Sequence, residues 1–110
     1  MTDNVQDEIK NIVDQNDVVL FMKGTKDQPQ CGFSNAVVNT LSFMNVNYKD
    51  VNILESDELR QGIKDFTNWP TIPQLYIKKE FVGGCDIVKE MYESGELKKV
   101  FDSKGINYKK

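Results

Sequence analysis

Residues Val18-Val19-Leu20-Phe21-Met22 form a wholly apolar run between Asn16-Asp17 and the polar stretch Lys23-Gly24-Thr25-Lys26-Asp27-Gln28-Pro29-Gln30. The run opens with two β-branched residues and has no polar position. That pattern predicts a strand buried on both faces rather than one alternating between core and solvent. It is the longest apolar run in the chain and far shorter than the roughly 20 residues that cross a bilayer as a helix, so no membrane association is expected.

The flanking segments supply the rest of a layered domain. Val5, Ile9, Ile12 and Val13 recur at helical spacing, predicting an amphipathic helix over residues 4–15 that Asn16-Asp17 ends. The stretch from Lys23 to Gln30 has loop chemistry. A second helix is predicted to begin at Gly32 or Phe33, with Ala36, Val37, Thr40, Leu41 and Met44 facing inward. Tyr48 to Ile53 is predicted as a strand. Ser56 or Asp57 can cap a third helix carrying Leu59, Ile63 and Phe66. Two prolines force Asn68-Trp69-Pro70-Thr71-Ile72-Pro73 to be extended or turned. Gln74 to Ile77 and Glu80 to Val82 then form a hairpin across Lys78-Lys79, a turn without the usual Asn-Gly or Asp-Gly. Gly83-Gly84 bends the backbone, Asp86 can cap a helix through Ile87, Val88 and Met91, and Gly95 separates it from a last turn or two over Glu96 to Phe101. This order predicts one α/β domain over residues 1–110, with a parallel strand pair and an antiparallel hairpin in a mixed sheet.

Composition narrows the chemistry. The 110 residues include two cysteines and no histidine. Ser-His and Cys-His nucleophiles and imidazole metal ligands are therefore excluded. One chain cannot supply the four thiolates of an ordinary iron–sulfur or structural zinc site, and at most one disulfide could form. The net charge of −3, with Lys98-Lys99 and Lys109-Lys110 interrupted by acids, argues against a nucleic-acid partner. The start, Met1-Thr2-Asp3-Asn4-Val5-Gln6-Asp7-Glu8, is polar and acidic, the reverse of a secretory or transit peptide. The expected compartment is a bacterial-type cytoplasm, or a mitochondrial matrix if a transit peptide has been removed.

Cys31 is placed where loop passes into helix. Unpaired N–H groups and the helix dipole there favour an anion, and Lys23 at the end of the preceding strand can add positive charge. A thiol so placed ionises readily, and the thiolate is both nucleophile and metal ligand. The alternative is a small buried hydrophobe; Pro29, Gly32 and the polar approach argue for the reactive reading. The motif is Cys31-Gly32-Phe33-Ser34, without the second thiol of a Cys-x-x-Cys pair, so local two-thiol chemistry is absent. Ser34 is left to cap the helix or hydrogen-bond the sulfur.

This stretch resembles the monothiol glutaredoxins of the Cys-Gly-Phe-Ser class. Lys23-Gly24-Thr25, Pro29-Gln30, Trp69-Pro70-Thr71-Ile72-Pro73 and Phe81-Val82-Gly83-Gly84-Cys85-Asp86 agree with the family's pattern in the right order, over about residues 18–100. Departures are Lys26, where the motif often has proline, and the Lys78-Lys79 turn. The resemblance implies a thioredoxin-like fold, with a central mixed four-stranded sheet flanked by about five helices.

It also implies glutathione beside Cys31. Lys23 can pair the glycyl carboxylate, and Arg60, which on sequence alone reads as a solvated helix residue, stands where the family has a carboxylate-binding arginine. Pro73 resembles the proline that follows a cis peptide bond, an arrangement that presents the backbone of Ile72 to the cysteinyl part of the ligand. Gly83-Gly84 allows close approach. The N–H groups of Cys85 and Asp86 can take the γ-glutamyl carboxylate, and Asp86 can accept from the γ-glutamyl amine or act as a pure N-cap. Cys85 is read as a backbone contributor whose thiol is optional. Trp69, Phe33 and the tyrosines are read as packing residues.

The leading functional expectation is a carrier of a [2Fe-2S] cluster. Such a cluster needs four sulfur ligands. Two chains give two Cys31 thiolates, and two glutathiones give the others, so the cluster-bound form is expected to be a glutathione-dependent homodimer. The resemblance adds a BolA-type partner and acceptor iron–sulfur apoproteins. One alternative is a monothiol glutathione-dependent oxidoreductase that removes glutathione from mixed disulfides. Another is a redox-sensing adaptor using a Cys31–Cys85 disulfide.

Overall fold

The computed structural model of the protein describes residues 5–69 and 71–108. Residue 4 of the expected first helix, Pro70 and the tail lysines Lys109-Lys110 lie outside them. Helix α1 (Val5–Gln15) leads into strand β1 (Val18–Met22), followed by α2 (Gly32–Phe43), β2 (Lys49–Asn52), α3 (Asp57–Thr67), β3 (Gln74–Ile77), β4 (Glu80–Gly83), α4 (Cys85–Ser94) and α5 (Glu96–Ser103). The sheet order is β2-β1-β3-β4. β1 pairs with β2 in parallel and with β3 antiparallel, and β3 pairs with β4 antiparallel. The mixed four-stranded sheet and five helices match the expectation.

All five residues of β1 are buried. Because successive side chains point to opposite faces, they divide between two cores. Val18, Leu20 and Met22 pack with Val37, Leu41, Val88, Leu97 and Phe101 from α2, α4 and α5. Val19 and Phe21 pack with Ile9, Val13, Leu59 and Ile63 from α1 and α3. The strand thus carries the inner layer of both halves, which is why it tolerates no polar residue. No helix among the described residues is long and apolar enough to cross a membrane.

Three local expectations are corrected. The strand expected over Tyr48 to Ile53 is shorter, and Ile53–Glu55 form a 3-10 turn. The Asn52 side chain ends it by accepting from the N–H groups of Leu54 and Gly24, both at 2.9 Å. Asp86 is not the cap of α4. Gly84 holds that position, and Asp86 sits in the first turn, where its charge still suits the helix dipole. The reason is the preceding turn: Gly83 has φ +152, and a Cβ on it would lie 2.7 Å from Ile87, so only glycine lets the helix start so soon. The last helix runs through Ser103 rather than Phe101.

Other boundaries follow the sequence. Ser56 caps α3 by accepting from the Leu59 N–H at 3.1 Å. Gly95 takes the left-handed conformation between α4 and α5. The hairpin turn places both Lys78 (φ 50) and Lys79 (φ 73) in that conformation without an Asn-Gly pair. Lys78 is secured from outside the hairpin, donating its N–H to the Asp17 carbonyl at 2.6 Å and pairing with the Asp17 carboxylate at 3.1 Å. The backbone bond offsets the unfavourable turn conformation more than the exposed ion pair does.

Candidate functional site

Three chain segments converge beside the ends of β1 and β3: the β1–α2 connection, the stretch leading into β3, and the β4–α4 turn. The first is tied down along its length. The Lys23 carbonyl accepts from the Gln30 N–H at 2.9 Å, and the Lys26 N–H donates to the Asp50 carboxylate at 2.9 Å. The ammonium of Lys26 lies 5.1 Å from the centre of the Tyr48 ring. Cys31 therefore enters α2 from a loop with many fixed points.

Cys31 is the N-cap residue of α2, with extended backbone (φ −146, ψ 137) and a side chain that makes no capping hydrogen bond. Its thiol pKa is held below the ordinary value. The backbone N–H of Ser34 is the main cause, partial burial opposes it, and the N–H of Phe33 and the charge of Lys23 assist. At this helix terminus the thiolate is thus favoured by particular N–H groups as well as by the nearby lysine charge. The Ser34 hydroxyl serves neither expected role. It is fully buried and accepts from the Lys23 N–H at 3.2 Å, fastening the start of α2 to the end of β1.

A cavity of about 420 Å³ opens beside this cysteine. Its walls include Lys23, Arg60, Ile72, Gly84, Cys85 and Asp86, so the structure brings together all six residues named from sequence as glutathione contacts. Cys31 is not itself a wall, but its thiol is near enough to Cys85 and Lys23, which are, for their charges to interact. The Ile72–Pro73 bond is cis. Gly84 lies close against this segment, and a Cβ there would sit 3.1 Å from the Pro73 carbonyl oxygen.

Sequence reasoning missed one cation. Lys64 lines the cavity with Lys23 and Arg60, giving three positive side chains against the single carboxylate of Asp86. It lies four residues after Arg60 on α3, so helical spacing was the available signal. Arg60 retains freedom to reach a ligand, because its 3.7 Å contact to Asp57 is an exposed and weak pair. Phe33 is corrected from packing residue to exposed wall: it is 62% exposed. Trp69 does both, lining the cavity while its ring lies 5.8 Å from that of Phe81. The cavity can thus receive a small, multiply anionic ligand with an apolar middle, next to a cysteine that favours its thiolate.

Comparison with known proteins agrees with this geometry. Residues 18–82 match the family model described as Glutaredoxin. The chain is 56% identical over 97 residues to the chloroplastic monothiol glutaredoxin-S14 of Arabidopsis thaliana, covering 88% of this chain and 56% of that longer protein. It is 55% identical over 92 residues to the probable monothiol glutaredoxin 2 of Rickettsia typhi, covering 84% of this chain and 83% of that one. Among solved structures, a monomeric truncated mutant of Trypanosoma brucei 1-C-Grx1 superimposes with a TM-score of 0.89 at 39% identity, covering 99% of both chains.

Proposed function

This chain belongs to the glutaredoxin family, and we propose that it is a glutathione-dependent carrier of a [2Fe-2S] cluster, which it delivers to acceptor apoproteins. The observation that carries the reading is one thiolate-favouring cysteine beside a cation-lined cavity. The chain has two cysteines and no histidine, so it cannot by itself supply the four thiolate or imidazole ligands of the cluster, and among the described residues no three His, Cys, Asp or Glu side chains come together. Two Cys31 thiolates and the thiols of two glutathiones make the required four ligands.

Each glutathione is placed by charge and backbone. Lys23, Arg60 and Lys64 offer cations for its carboxylates. The Ile72 backbone pairs with the cysteinyl unit, and the N–H groups of Cys85 and Asp86 take the γ-glutamyl carboxylate. The Asp86 carboxylate accepts from the γ-glutamyl amine. Only Cys31 bonds the cluster from the protein side, so half of the ligand set can dissociate, which suits cargo that is to be passed on. Acceptors are iron–sulfur apoproteins, and a BolA-type protein replaces one protomer in a mixed complex. A reducing compartment with abundant glutathione is the setting this chemistry needs.

Anaerobic reconstitution with iron, sulfide and glutathione tests the reading. The expected product is a coloured dimer, and omitting glutathione or substituting Cys31→Ser should leave a colourless monomer. A coloured dimer that persists without glutathione, or iron bound by the Cys31→Ser variant, would overturn it.

The lowered thiol pKa also favours a second reading as an oxidoreductase. The Cys31 thiolate would attack the glutathione sulfur of a mixed disulfide, forming Cys31–S–SG and expelling the substrate thiolate. A second glutathione thiolate would then release glutathione disulfide and restore Cys31. Rapid turnover of a small glutathione mixed disulfide, lost in Cys31→Ser, would favour this reading over the carrier.

A further inference from the structure

Gln74 is fully buried at the first position of β3, opposite Phe21 of β1. A buried amide is costly unless its polar atoms are paired. Here Nε2 donates to two carbonyls, those of Trp69 and Thr71, each at 3.2 Å. Oε1 accepts from the Tyr76 hydroxyl at 3.2 Å and lies 3.0 Å from the Thr67 hydroxyl. That Thr67 proton is shared with the Ile63 carbonyl at 2.8 Å. An apolar side chain could fill the same volume without these partners. What the amide adds is a hold on two residues that wall the cavity.

The peptide joining Thr71 to Ile72 is a planar trans unit, so its C=O and N–H point in opposite directions. With the Thr71 carbonyl held inward by Gln74, the Ile72 N–H is turned away from the core, on the segment that lines the cavity. We infer that Gln74 is a positioning residue for glutathione, clamping the Trp69 and Thr71 carbonyls so that the Ile72 N–H faces the ligand. This rests on the cavity being a glutathione site.

The test is the equilibrium in which the Cys31 thiol and glutathione disulfide give Cys31–S–SG and free glutathione. Gln74→Met keeps the bulk and removes both donors, and should lower the equilibrium constant about tenfold, the effect of one hydrogen bond. The Cys31 pKa should not move, because Gln74 is not among the groups that set it. Tyr76→Phe destabilises the network but leaves the Nε2 clamp, and should keep the constant within about twofold of wild type. An unchanged constant in Gln74→Met, or an equal fall in Tyr76→Phe, overturns the inference. Should Gln74→Met not fold, the wild-type side-chain amide decides. Its protons should exchange far more slowly than those of exposed Gln28, and equal rates would refute the clamp. If wild type forms Cys31–S–SG no more favourably than a mixed disulfide with 2-mercaptoethanol, the glutathione reading of the cavity fails first, and this inference with it.

Discussion

Cys31 and Cys85 both stand at the N-terminus of a helix, yet their thiols are driven in opposite directions. Cys31 is the cap itself, outside the helix, where the N–H groups of Ser34 and Phe33 and the charge of Lys23 favour the thiolate. Cys85 is one position further in, the first residue of α4, with Gly84 as cap. Burial pushes its pKa up, the neighbouring Asp86 adds to this, Lys89 opposes it, and a charge on Cys31 raises it further. A helix terminus is therefore not enough to activate a thiol. The cap position brings the sulfur to the free N–H groups, whereas one step inward, burial and a like charge outweigh the same dipole. The comparison also explains how one chain with two cysteines can offer a single reactive thiolate. Ionisation of Cys31 itself works against a second thiolate nearby.

The largest expected effect tests that contrast directly. At pH 7, iodoacetamide should alkylate Cys31 at least about tenfold faster than Cys85, because only the thiolate reacts. Followed over pH by peptide mass spectrometry, the Cys31 rate should rise at lower pH than an ordinary thiol, and the Cys85 rate at higher pH. The two groups have opposite stability signs. The lowered pKa of Cys31 stabilises the fold above the ordinary thiol range, and that contribution is lost as pH falls through the lowered value. The raised pKa of Cys85 contributes below the ordinary range and is lost as pH rises through the raised value. Equal alkylation rates would remove the contrast.

The activated cysteine was legible because its signals are local: a loop of Gly and Pro, a helix start and a lysine at a strand end. The fold was legible for the same reason, since the apolar run at Val18–Met22 and the 3.6-residue stripes depend only on near neighbours. What the sequence hid depends on distant partners. Asn52 ends β2 by bonding Gly24, 28 positions away. Ser34 was expected to serve its own helix or the sulfur and instead anchors Lys23, 11 positions away. Gln74 read as an ordinary strand residue because its Trp69 and Thr71 partners are backbone carbonyls, which carry no residue signature. The six residues around the cavity were drawn together by the family resemblance. Spacing alone would have left Arg60 on a solvated helix face, and it gave no reason to single out Lys64.

Two smaller substitutions separate the causes. Lys23→Met removes the least of the groups favouring the Cys31 thiolate and leaves the Ser34 and Phe33 N–H groups in place. Alkylation of Cys31 at pH 7 should slow by about threefold, with the pH profile displaced upward and Cys85 unaffected. A fall large enough to bring Cys31 to the rate of Cys85 would mean that charge, not the cap geometry, sets its reactivity. Asp86→Asn is the finer probe of the other helix. Burial is the main cause of the raised Cys85 pKa and the Asp86 charge comes second, so neutralising it should speed Cys85 alkylation only about twofold. The Cys31 rate should stay as it was, because Asp86 is not among the groups acting on that thiol. A much larger gain at Cys85 would show that a like charge, rather than burial, keeps it protonated. The two helix termini would then differ by one carboxylate, and the position of each cysteine relative to its cap would matter less than the residue that follows it.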